Sequence, residues 1–314
     1  MKAKKYLVLA AMAIIVAALA LVGCSSGGSA SSASASSASA SSASASSESA
    51  SASSASASSE AASSEAASSE AASSSASASS AAAAGSKFVS EGKLVIATSP
   101  DYPPFENLEN GEYVGLDIEI AKAIAAELGL EPEFKTLQFD AIIPAIAAGG
   151  QADIGISGFS VDPERAKEID FSSSYYVDDQ AIAVMKDSNI TADNAEEALN
   201  QDGFIIAVQS GTTGEAYVQE NYPNAKAQPY GNSTDAFAAM QSGQAQAVCT
   251  NKAVVDKMLA DAYQDAVVVK SIATGEEYAI VVSKDNPELT ASINEALATL
   301  KANGTIDQLI GQYM

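Results

Sequence analysis

Two apolar patterns alternate along the chain from residue 94 onwards. Residues 94–98 are a short apolar run, which predicts a buried strand, and further on apolar residues recur at every fourth position before Gly129. These residues are Leu116, Ile120, Ile124 and Leu128. Their spacing predicts one apolar face of a helix, and Gly129 is typical of a residue that ends a helix.

The same alternation continues through the rest of the chain. We predict further strands near residues 133–137, 152–156, 181–185 and 204–208, and helices near 140–148, near 192–199 and from Glu215. Strands that alternate with helices favour an α/β fold, in which we expect mostly parallel sheets.

The first 86 residues follow neither pattern. A lysine-rich start precedes an apolar stretch at residues 7–21, and small residues lead from there to Cys24, which is typical of an export signal. Residues 25–86 are almost entirely Ser and Ala, so they cannot form an apolar core. We therefore predict a signal peptide at residues 1–24 and a disordered tether at residues 25–86.

Composition argues against several classes of function. The formal net charge is −23, which disfavours nucleic-acid binding because contacts to phosphate need a basic surface. The chain contains no histidine, which excludes Ser-His-Asp and Cys-His nucleophiles and histidine-ligated metals. Cys249 is the only cysteine after Cys24, so no disulfide can form within the remaining chain. We expect no catalytic residue, no metal and no cofactor.

Arg165 is the only arginine in the chain. Its planar guanidinium can grip a carboxylate with two parallel hydrogen bonds, which lysine cannot do. Asp162 and Pro163 are typical of the cap and first residue of a short helix, which places Arg165 beside a strand end, where open α/β sheets bind ligands. Residue type alone leaves two interpretations open: a ligand clamp, or a surface ion pair with Glu164 or Glu168.

A loop of sequence Gln-Ser-Gly-Thr-Thr-Gly at residues 209–214 joins a predicted strand to a predicted helix. Such a turn can present backbone N–H groups and a helix N-terminus to an anion. It lacks the spacing of the dinucleotide fingerprint and the lysine of a P-loop, so a purely structural turn is an equal alternative.

Short segments spread over the chain resemble one known family. They are residues 102–105, 115–128, 139–144, 152–160, 163–165, 169–172, 175–176, 209–213, 278–282 and 303–306. In this order and spacing they resemble family 3 of the bacterial solute-binding proteins, which serve ABC importers of polar amino acids. The resemblance spans nearly all of residues 88–314.

The sequence Leu-Val-Gly-Cys at residues 21–24 carries a second resemblance. It is similar to a bacterial lipobox, whose cysteine is acylated and becomes the mature N-terminus. An ordinary secretory peptide with an incidental cysteine is the alternative. The resemblance implies that Cys24 carries lipid.

The family resemblance implies a two-lobed, periplasmic-binding-protein-like fold of type II. In that fold two α/β lobes are joined by two crossing strands, which act as a hinge, and the lobes close around a ligand. By this likeness, lobe 1 comprises residues 87–178 and 277–314, and lobe 2 comprises residues 182–272.

The resemblance also implies how a ligand's carboxylate is held. Arg165 matches the arginine that pairs with the α-carboxylate, and Ser160 and Thr213 match its hydrogen-bonding companions. Backbone amides of the turn at Gly211 and Thr212 would complete the carboxylate site. With these matches, the ligand clamp becomes the favoured interpretation of Arg165.

Aromatic and small residues complete the implied site. Tyr102 and Phe139 match the walls that sandwich the ligand's side chain, although either residue alone is more often part of a core. Ser157 and Gly158 match positions whose polar or backbone groups meet the α-ammonium. Phe159 belongs to the same segment and is either a ligand contact or a packing residue.

The sequence departs from the family at the residue that receives the ammonium. The family usually has an aspartate there, whereas this chain has Asn251, which accepts a hydrogen bond but supplies no countercharge. Ser99 likewise stands where relatives that bind basic amino acids carry an acid. We therefore expect an uncharged rather than a cationic ligand side chain. A ligand with a weaker or relocated positive charge, and compensation by Asp101, stay open.

These observations predict the substrate-binding lipoprotein of an ABC importer. It would be a monomer, anchored through lipid on Cys24 at the extracytoplasmic face of the cell membrane. It would pass an amino acid or a related small carboxylate to a permease powered by a cytoplasmic ATPase. Two alternatives stay open: a cyclic-acid dehydratase on the same fold, as in a few relatives, and a ligand sensor.

Overall fold

The computed structural model describes residues 85–314, whose strands form two five-stranded sheets and one three-stranded sheet. The predicted signal peptide, Cys24 and residues 25–84 of the predicted tether lie outside the described residues. Within residues 85–314, no helix combines the length and the apolar character that crossing a membrane requires.

The elements follow one another in chain order. The strands are β1 (Lys93–Thr98), β2 (Asp101–Tyr102), β3 (Glu106–Glu109), β4 (Glu112–Val114), β5 (Glu131–Thr136), β6 (Ile154–Gly155), β7 (Ile169–Phe171), β8 (Tyr176–Met185), β9 (Ile205–Gln209), β10 (Lys226–Tyr230), β11 (Ala247–Asn251), β12 (Ala266–Tyr278) and β13 (Val281–Ser283). The helices are α1 (Leu116–Glu127), α2 (Phe139–Ala148), α3 (Ala195–Leu199), α4 (Thr213–Asn221), α5 (Ser233–Gln241), α6 (Lys252–Asp261), α7 (Pro287–Ala302) and α8 (Thr305–Tyr313), with a short 3-10 helix at Arg165–Lys167.

The two large sheets share one plan. The first sheet has the strand order β5-β1-β6-β13-β7, and the second has the order β10-β9-β11-β8-β12. In the first, β1 pairs in parallel with β5 and β6, whereas β13 is antiparallel to β6 and β7. In the second, β9 is parallel to β10 and β11, whereas β8 is antiparallel to β11 and β12.

The α/β fold is therefore confirmed, but the expectation of mostly parallel sheets is wrong. Half of the strand pairings in each large sheet are antiparallel, and all of them involve β13 or β8. These two strands follow directly on a strand of the other sheet, β12 and β7 respectively. They lack the helical crossover that would return the chain to the start of a parallel neighbour.

Most local predictions hold, and side-chain capping explains one difference. The four apolar residues of the predicted face are buried, three of them in α1 and Leu128 directly after it. Helix α4 begins at Thr213 rather than Glu215, because Thr212 Oγ1 accepts a hydrogen bond from the amide of Glu215 at 3.2 Å and caps the helix two residues earlier. The strand predicted near residues 152–156 is reduced to β6.

The strands β8 and β12 link the two large sheets. They pair antiparallel, from Met185 opposite Ala266 to Tyr176 opposite Tyr278. The structure is thus two-lobed, with one large sheet in each lobe and two adjacent strands between them. The residue limits of the lobes stay a prediction.

Gly115 allows the start of α1 to approach the preceding loop closely. The amide of Leu116 donates to the carbonyl of Pro104 at 3.0 Å. Gly115 has a φ of 125°, and a Cβ at this position would lie 2.2 Å from the carbonyl oxygen of Phe105. The contact holds the loop that carries Tyr102 against the helix.

We expect Gly115→Ala to lower the thermal midpoint of unfolding more than Gly111→Ala does. Gly111 also has a positive φ, 87°, but nothing lies within 4 Å of an added Cβ there, so it serves as the control. The control should cost about 1–2 kcal/mol, the usual penalty for a side chain at positive φ. Gly115→Ala adds a backbone clash to that penalty. Equal midpoints for the two variants would contradict the close contact.

Candidate functional site

Eight of the eleven predicted ligand-binding residues line one cavity between the two lobes. Its lining contains Tyr102, Phe139, Gly158, Ser160, Arg165, Thr212, Thr213 and Asn251, together with Gln209, which was not predicted. Ser157, Phe159 and Gly211 were predicted but do not line it. The cavity has a volume of about 10 Å³, room for about one water molecule, so a larger ligand needs the lobes to separate.

Chain topology explains why residues far apart in sequence converge here. Ser160 lies in the loop after β6, Thr213 opens α4 after β9, and Asn251 ends β11. In open α/β sheets the carboxyl ends of parallel strands form the ligand-binding edge. These edges of the two large sheets therefore face one cavity.

Tyr102 connects the two lobes across this cavity. Its hydroxyl donates to Asn251 Oδ1 at 2.7 Å and lies 2.8 Å from Thr250 Oγ1, both at the end of β11. Burial of the ring raises the pKa of the Tyr102 hydroxyl above its usual range, so the group stays a neutral hydrogen-bond donor.

Arg165 is held at the cavity by two backbone carbonyls. Nη1 donates to the carbonyl of Ser160 and Nη2 to that of Gly211, each at 2.9 Å. Because Ser160 and Gly211 belong to different lobes, the guanidinium also connects the lobes. Burial lowers the pKa of Arg165 from its usual value. Within residues 85–314 it makes no salt bridge with Glu164, which pairs with Lys167 instead.

Two stacked phenylalanines support the guanidinium. The rings of Phe139 and Phe159 lie 4.7 Å apart at an angle of 21°. The Cζ atom of Arg165 lies 5.5 Å from the centre of the Phe139 ring and 5.7 Å from that of Phe159. These distances are typical of cation–π contacts. Phe159 is fully buried, so packing is its role in this arrangement.

In the turn at residues 209–214, the backbone amide of Gly211 is not open to a ligand carboxylate as expected. The amide of Gly211 donates to Glu215 Oε2 at 2.9 Å, so the carboxylate of α4 itself occupies this donor. Thr212 Oγ1 donates to the carbonyl of Gln209 at 2.7 Å and caps α4. Ser210 Oγ donates to Asp140 Oδ2 at 2.9 Å, and the hydroxyl of Thr213 donates to a second acid, to which two further residues of the cavity lining also bond.

That acid is Glu276 on β12, which sequence reasoning missed. Its Oε2 accepts hydrogen bonds from Thr213 Oγ1 at 2.7 Å, from Asn251 Nδ2 at 3.2 Å and from Ser160 Oγ. The sequence signal that could have indicated Glu276 was its spacing of two residues from Tyr278. Residues two apart on a strand point to the same face, and Tyr278, two positions on, belongs to a segment that carries the family resemblance.

Two buried acids lie behind the loop at residues 157–160. Ser157 Oγ donates to Glu106 Oε1 at 2.6 Å, and the amide of Gly158 donates to Asp117 Oδ2 at 2.7 Å. Burial raises the pKa of Glu106, and it raises the pKa of Asp117 to about 6. The hydroxyl of Ser157 therefore supports the loop from behind instead of facing the cavity.

Asp101 also lies outside the cavity. Its Oδ1 accepts from Ser99 Oγ at 2.8 Å, and its Oδ2 accepts from the amide of Ser233 at the start of α5. Burial raises the pKa of Asp101 from its usual value. Asp101 therefore does not supply the negative charge that is missing at Asn251. It forms a contact between the lobes instead.

Asp178 lies where the linking strands meet. Its Oδ2 accepts from the amide of Ala253 at 3.2 Å and from the hydroxyl of Tyr278 at 3.4 Å, and its Oδ1 accepts from the amide of Asp179 at 2.8 Å. Burial outweighs these hydrogen bonds and raises the pKa of Asp178 to about 6.

The cavity is equipped for binding a small polar molecule of mixed charge. Its lining offers the guanidinium of Arg165, the hydroxyls of Ser160 and Thr213 and the side-chain amide of Asn251. The carboxylate of Glu276 is not part of the lining, but it bonds to the last three of these residues. Across residues 85–314, His, Cys, Asp and Glu side chains form no group of three that could hold a metal ion.

Two α/β lobes with a polar cavity between them define a binding protein of the two-lobed periplasmic class. The sequence profile of the bacterial extracellular solute-binding proteins, family 3, matches residues 94–314. The chain belongs to this family. Membership supports a substrate-binding role in ABC transport and an extracytoplasmic location.

Individual relatives agree with this assignment. The chain is 31% identical to ABC transporter arginine-binding protein 1 of Escherichia coli (strain K12) over 70% of its own length and 90% of that protein. It is 32% identical to the ABC transporter glutamine-binding protein GlnH of Bacillus subtilis (strain 168), over 71% and 81% respectively.

Solved structures show the same fold. An ancestral arginine-binding protein bound to glutamine matches with a TM-score of 0.66 and 35% identity, over 72% of this chain and 99% of that one. The ancestral amino acid-binding protein AncCDT-1, a precursor of cyclohexadienyl dehydratase, matches with a TM-score of 0.65 and 38% identity, over 71% and 95%.

We expect Asp178→Asn to gain stability relative to the wild type as the pH rises from about 4 to about 7. A carboxyl whose pKa is raised by folding binds its proton more tightly in the folded chain, so its contribution to the free energy of unfolding falls as the pH passes through that range. The asparagine does not titrate. With a folded pKa of about 6, the relative gain is about 2–3 kcal/mol.

Urea unfolding of both proteins at pH 4.5 and 7.5 measures this gain. Glu277→Gln, which removes an exposed carboxylate from β12, is the control and should show no comparable change. A stability difference between Asp178→Asn and wild type that is the same at both pH values would contradict the raised pKa.

Proposed function

We propose that this protein captures an amino acid, or a related small carboxylate, between its two lobes for an ABC importer. The observation that carries the proposal is the position of Arg165, the only arginine, at a cavity to which both lobes contribute donors. Relatives whose names state that they bind arginine, glutamine and cystine support this class of ligand.

The donors suit a carboxylate. Two of the five N–H groups of Arg165 bind backbone carbonyls and fix the plane of the guanidinium, and the others can serve a ligand. Ser160 and Thr213 bring hydroxyl donors from opposite lobes to one point, where both bond to the same carboxylate oxygen of Glu276. A ligand carboxylate in that position would meet a cation and two hydroxyls.

Closure follows from the same contacts. Arg165, Tyr102 and the Ser160–Thr213 pair each connect the two lobes, so their full set of bonds exists only when the lobes are together. A ligand that uses donors from both lobes binds the closed form better than the open form and shifts the population towards closure.

The ligand's side chain is proposed to be uncharged. Glu276 is the carboxylate that hydrogen-bonds to the cavity-lining side chains of Ser160, Thr213 and Asn251, and Ser99 supplies only a hydroxyl, which bonds to Asp101. A cationic side chain in addition to an α-ammonium would leave one buried positive charge without a partner, which costs several kcal/mol.

Catalysis is not part of the proposal. The dehydratase alternative is represented by the structure of 38% identity, AncCDT-1, which is described as an amino acid-binding protein and a precursor of cyclohexadienyl dehydratase. That similarity therefore supports binding. The sensor alternative is compatible with the same cavity and differs only in the partner.

The anchoring proposal rests on the start of the chain. Acylated Cys24 would hold the protein at the extracytoplasmic face of the cell membrane. By the scaling of flexible linkers, the Ser/Ala segment would span on the order of 45 Å and leave the binding domain, as a monomer, free to reach a permease that a cytoplasmic ATPase drives.

We expect Arg165→Lys to weaken binding by about 10- to 100-fold while the fold stays intact. Lysine keeps the charge, but its compact ammonium lacks the planar fork that spans the two carbonyls and offers parallel N–H groups to a carboxylate. Charged hydrogen bonds are each worth about 1.5–3 kcal/mol. Calorimetry with the amino acid that most raises the thermal midpoint measures the loss. Lys167→Gln removes an exposed cation from the same short helix and is the control. Unchanged affinity in Arg165→Lys would remove this residue from the site.

We expect intact-mass analysis of protein extracted from membranes to show a chain that begins at an acylated Cys24. The Cys24→Ala variant should lack the lipid mass and leave the membrane fraction. Release of unmodified wild-type protein into the medium would contradict the lipid anchor and leave the binding proposal untouched.

A further inference from the structure

Glu276 makes contacts that the family pattern does not assign. Besides its three bonds at Oε2, its Oε1 accepts from Gln180 Nε2 at 2.9 Å. Three of the four donors belong to residues proposed to bind the ligand, namely Ser160, Thr213 and Asn251. The carboxylate therefore lies within the ligand-binding groups themselves, in contact with both lobes.

The linking strand is shaped to put this acid there. The register between β12 and β8 shifts between Ile272 and Glu276, and Gly275 within the shift has a φ of 60°. The amide of Gly275 donates to Asp179 Oδ1 at 3.0 Å, which ties the irregular segment to β8. Such bulges redirect side chains, and here the residue after the register shift bonds to three residues of the cavity lining.

The polar groups around Glu276 are neutral or hydrogen-bonded to other partners. Asn251 is neutral, and its two polar ends are already engaged: Oδ1 accepts from Tyr102 and Nδ2 donates to Glu276. Asp101 accepts from Ser99 and Ser233, away from the cavity. Asp178, Asp117 and Glu106 lie behind the lining residues.

We propose that Glu276 supplies the countercharge for the ligand's α-ammonium and thereby selects amino acids over carboxylic acids that lack an amino group. This rests on the proposed function. The family pattern places an aspartate at position 251, where this chain has Asn251. Oε2 of Glu276 lies 3.2 Å from the side-chain nitrogen Nδ2 of Asn251.

Binding then proceeds as an exchange of hydrogen-bond partners. The ligand's carboxylate takes the hydroxyls of Ser160 and Thr213 together with Arg165. The oxygen of Glu276 that these hydroxyls release accepts the ammonium. One cation and one anion of the protein are thereby matched by one anion and one cation of the ligand, so every buried charge is paired.

The test compares an amino acid with its analogue that lacks the amino group. The twenty standard L-amino acids are first screened by thermal shift, and the one with the largest shift is titrated by calorimetry beside its des-amino acid. Wild type should prefer the amino acid. Glu276→Gln should lose about tenfold or more in affinity for the amino acid and should bind the des-amino acid as well as wild type does, or more tightly.

Three comparisons make the outcome decisive. Glu277→Gln removes the adjacent exposed carboxylate and should bind like wild type. Glu276→Gln combined with Asn251→Asp returns a carboxylate to the neighbouring position and should recover the preference for the amino group, which a merely structural effect of Glu276→Gln would not allow. Thermal unfolding of each variant reports on its fold.

The possible failures are distinct. If wild type binds none of the amino acids, capture of a standard amino acid is wrong as the proposed function, and this role of Glu276 is wrong with it. If wild type binds one and Glu276→Gln binds it equally well, or loses both probes to the same extent without recovery in the double variant, the proposed function stands and the role of Glu276 is overturned.

Discussion

Charges that leave water when two lobes close must find partners inside, and this constraint governs the cavity. Arg165 donates hydrogen bonds to the carbonyls of Ser160 and Gly211. Glu276 accepts hydrogen bonds from hydroxyl and amide groups of both lobes. Neither charge is satisfied by one lobe alone. Because an unpaired buried ion costs several kcal/mol, the closed arrangement favours a ligand that brings both signs of charge. The pairing requirement thus connects closure with selectivity.

The linking strands serve the site as well as the connection between the lobes. β8 and β12 carry Gln180 and Glu276, whose side chains bond to each other, and Glu276 also bonds to three residues that line the cavity. Lobe movement and ligand contact therefore involve the same few residues. Behind the cavity, Asp117 and Glu106 hold the loop at residues 157–160 through Gly158 and Ser157, so the first lobe's donors keep their positions.

The sequence predicted much of the fold because its signals are local. The apolar face of α1 follows from spacing every fourth residue. The short helix begins at Arg165 with Glu164 before it, two residues later than predicted, although Asp162 still accepts hydrogen bonds from the amides of Glu164 and Arg165. The mixed direction of the sheets could not be read in this way. Strand direction depends on which strand comes to lie beside β8 or β13, a choice made by contacts distant in sequence.

At the site, the sequence by itself determined which residue types can carry charge or form hydrogen bonds. They are a single arginine, an asparagine where the family pattern has an acid, and the serine and threonine that match the arginine's hydrogen-bonding companions. Only the tertiary structure decided which of these meet. It turned Ser157 and Asp101 away from the cavity and brought in Glu276, 111 residues after Arg165 in the chain. The physical reason is that a countercharge acts through distance in space, whereas a sequence pattern records distance along the chain.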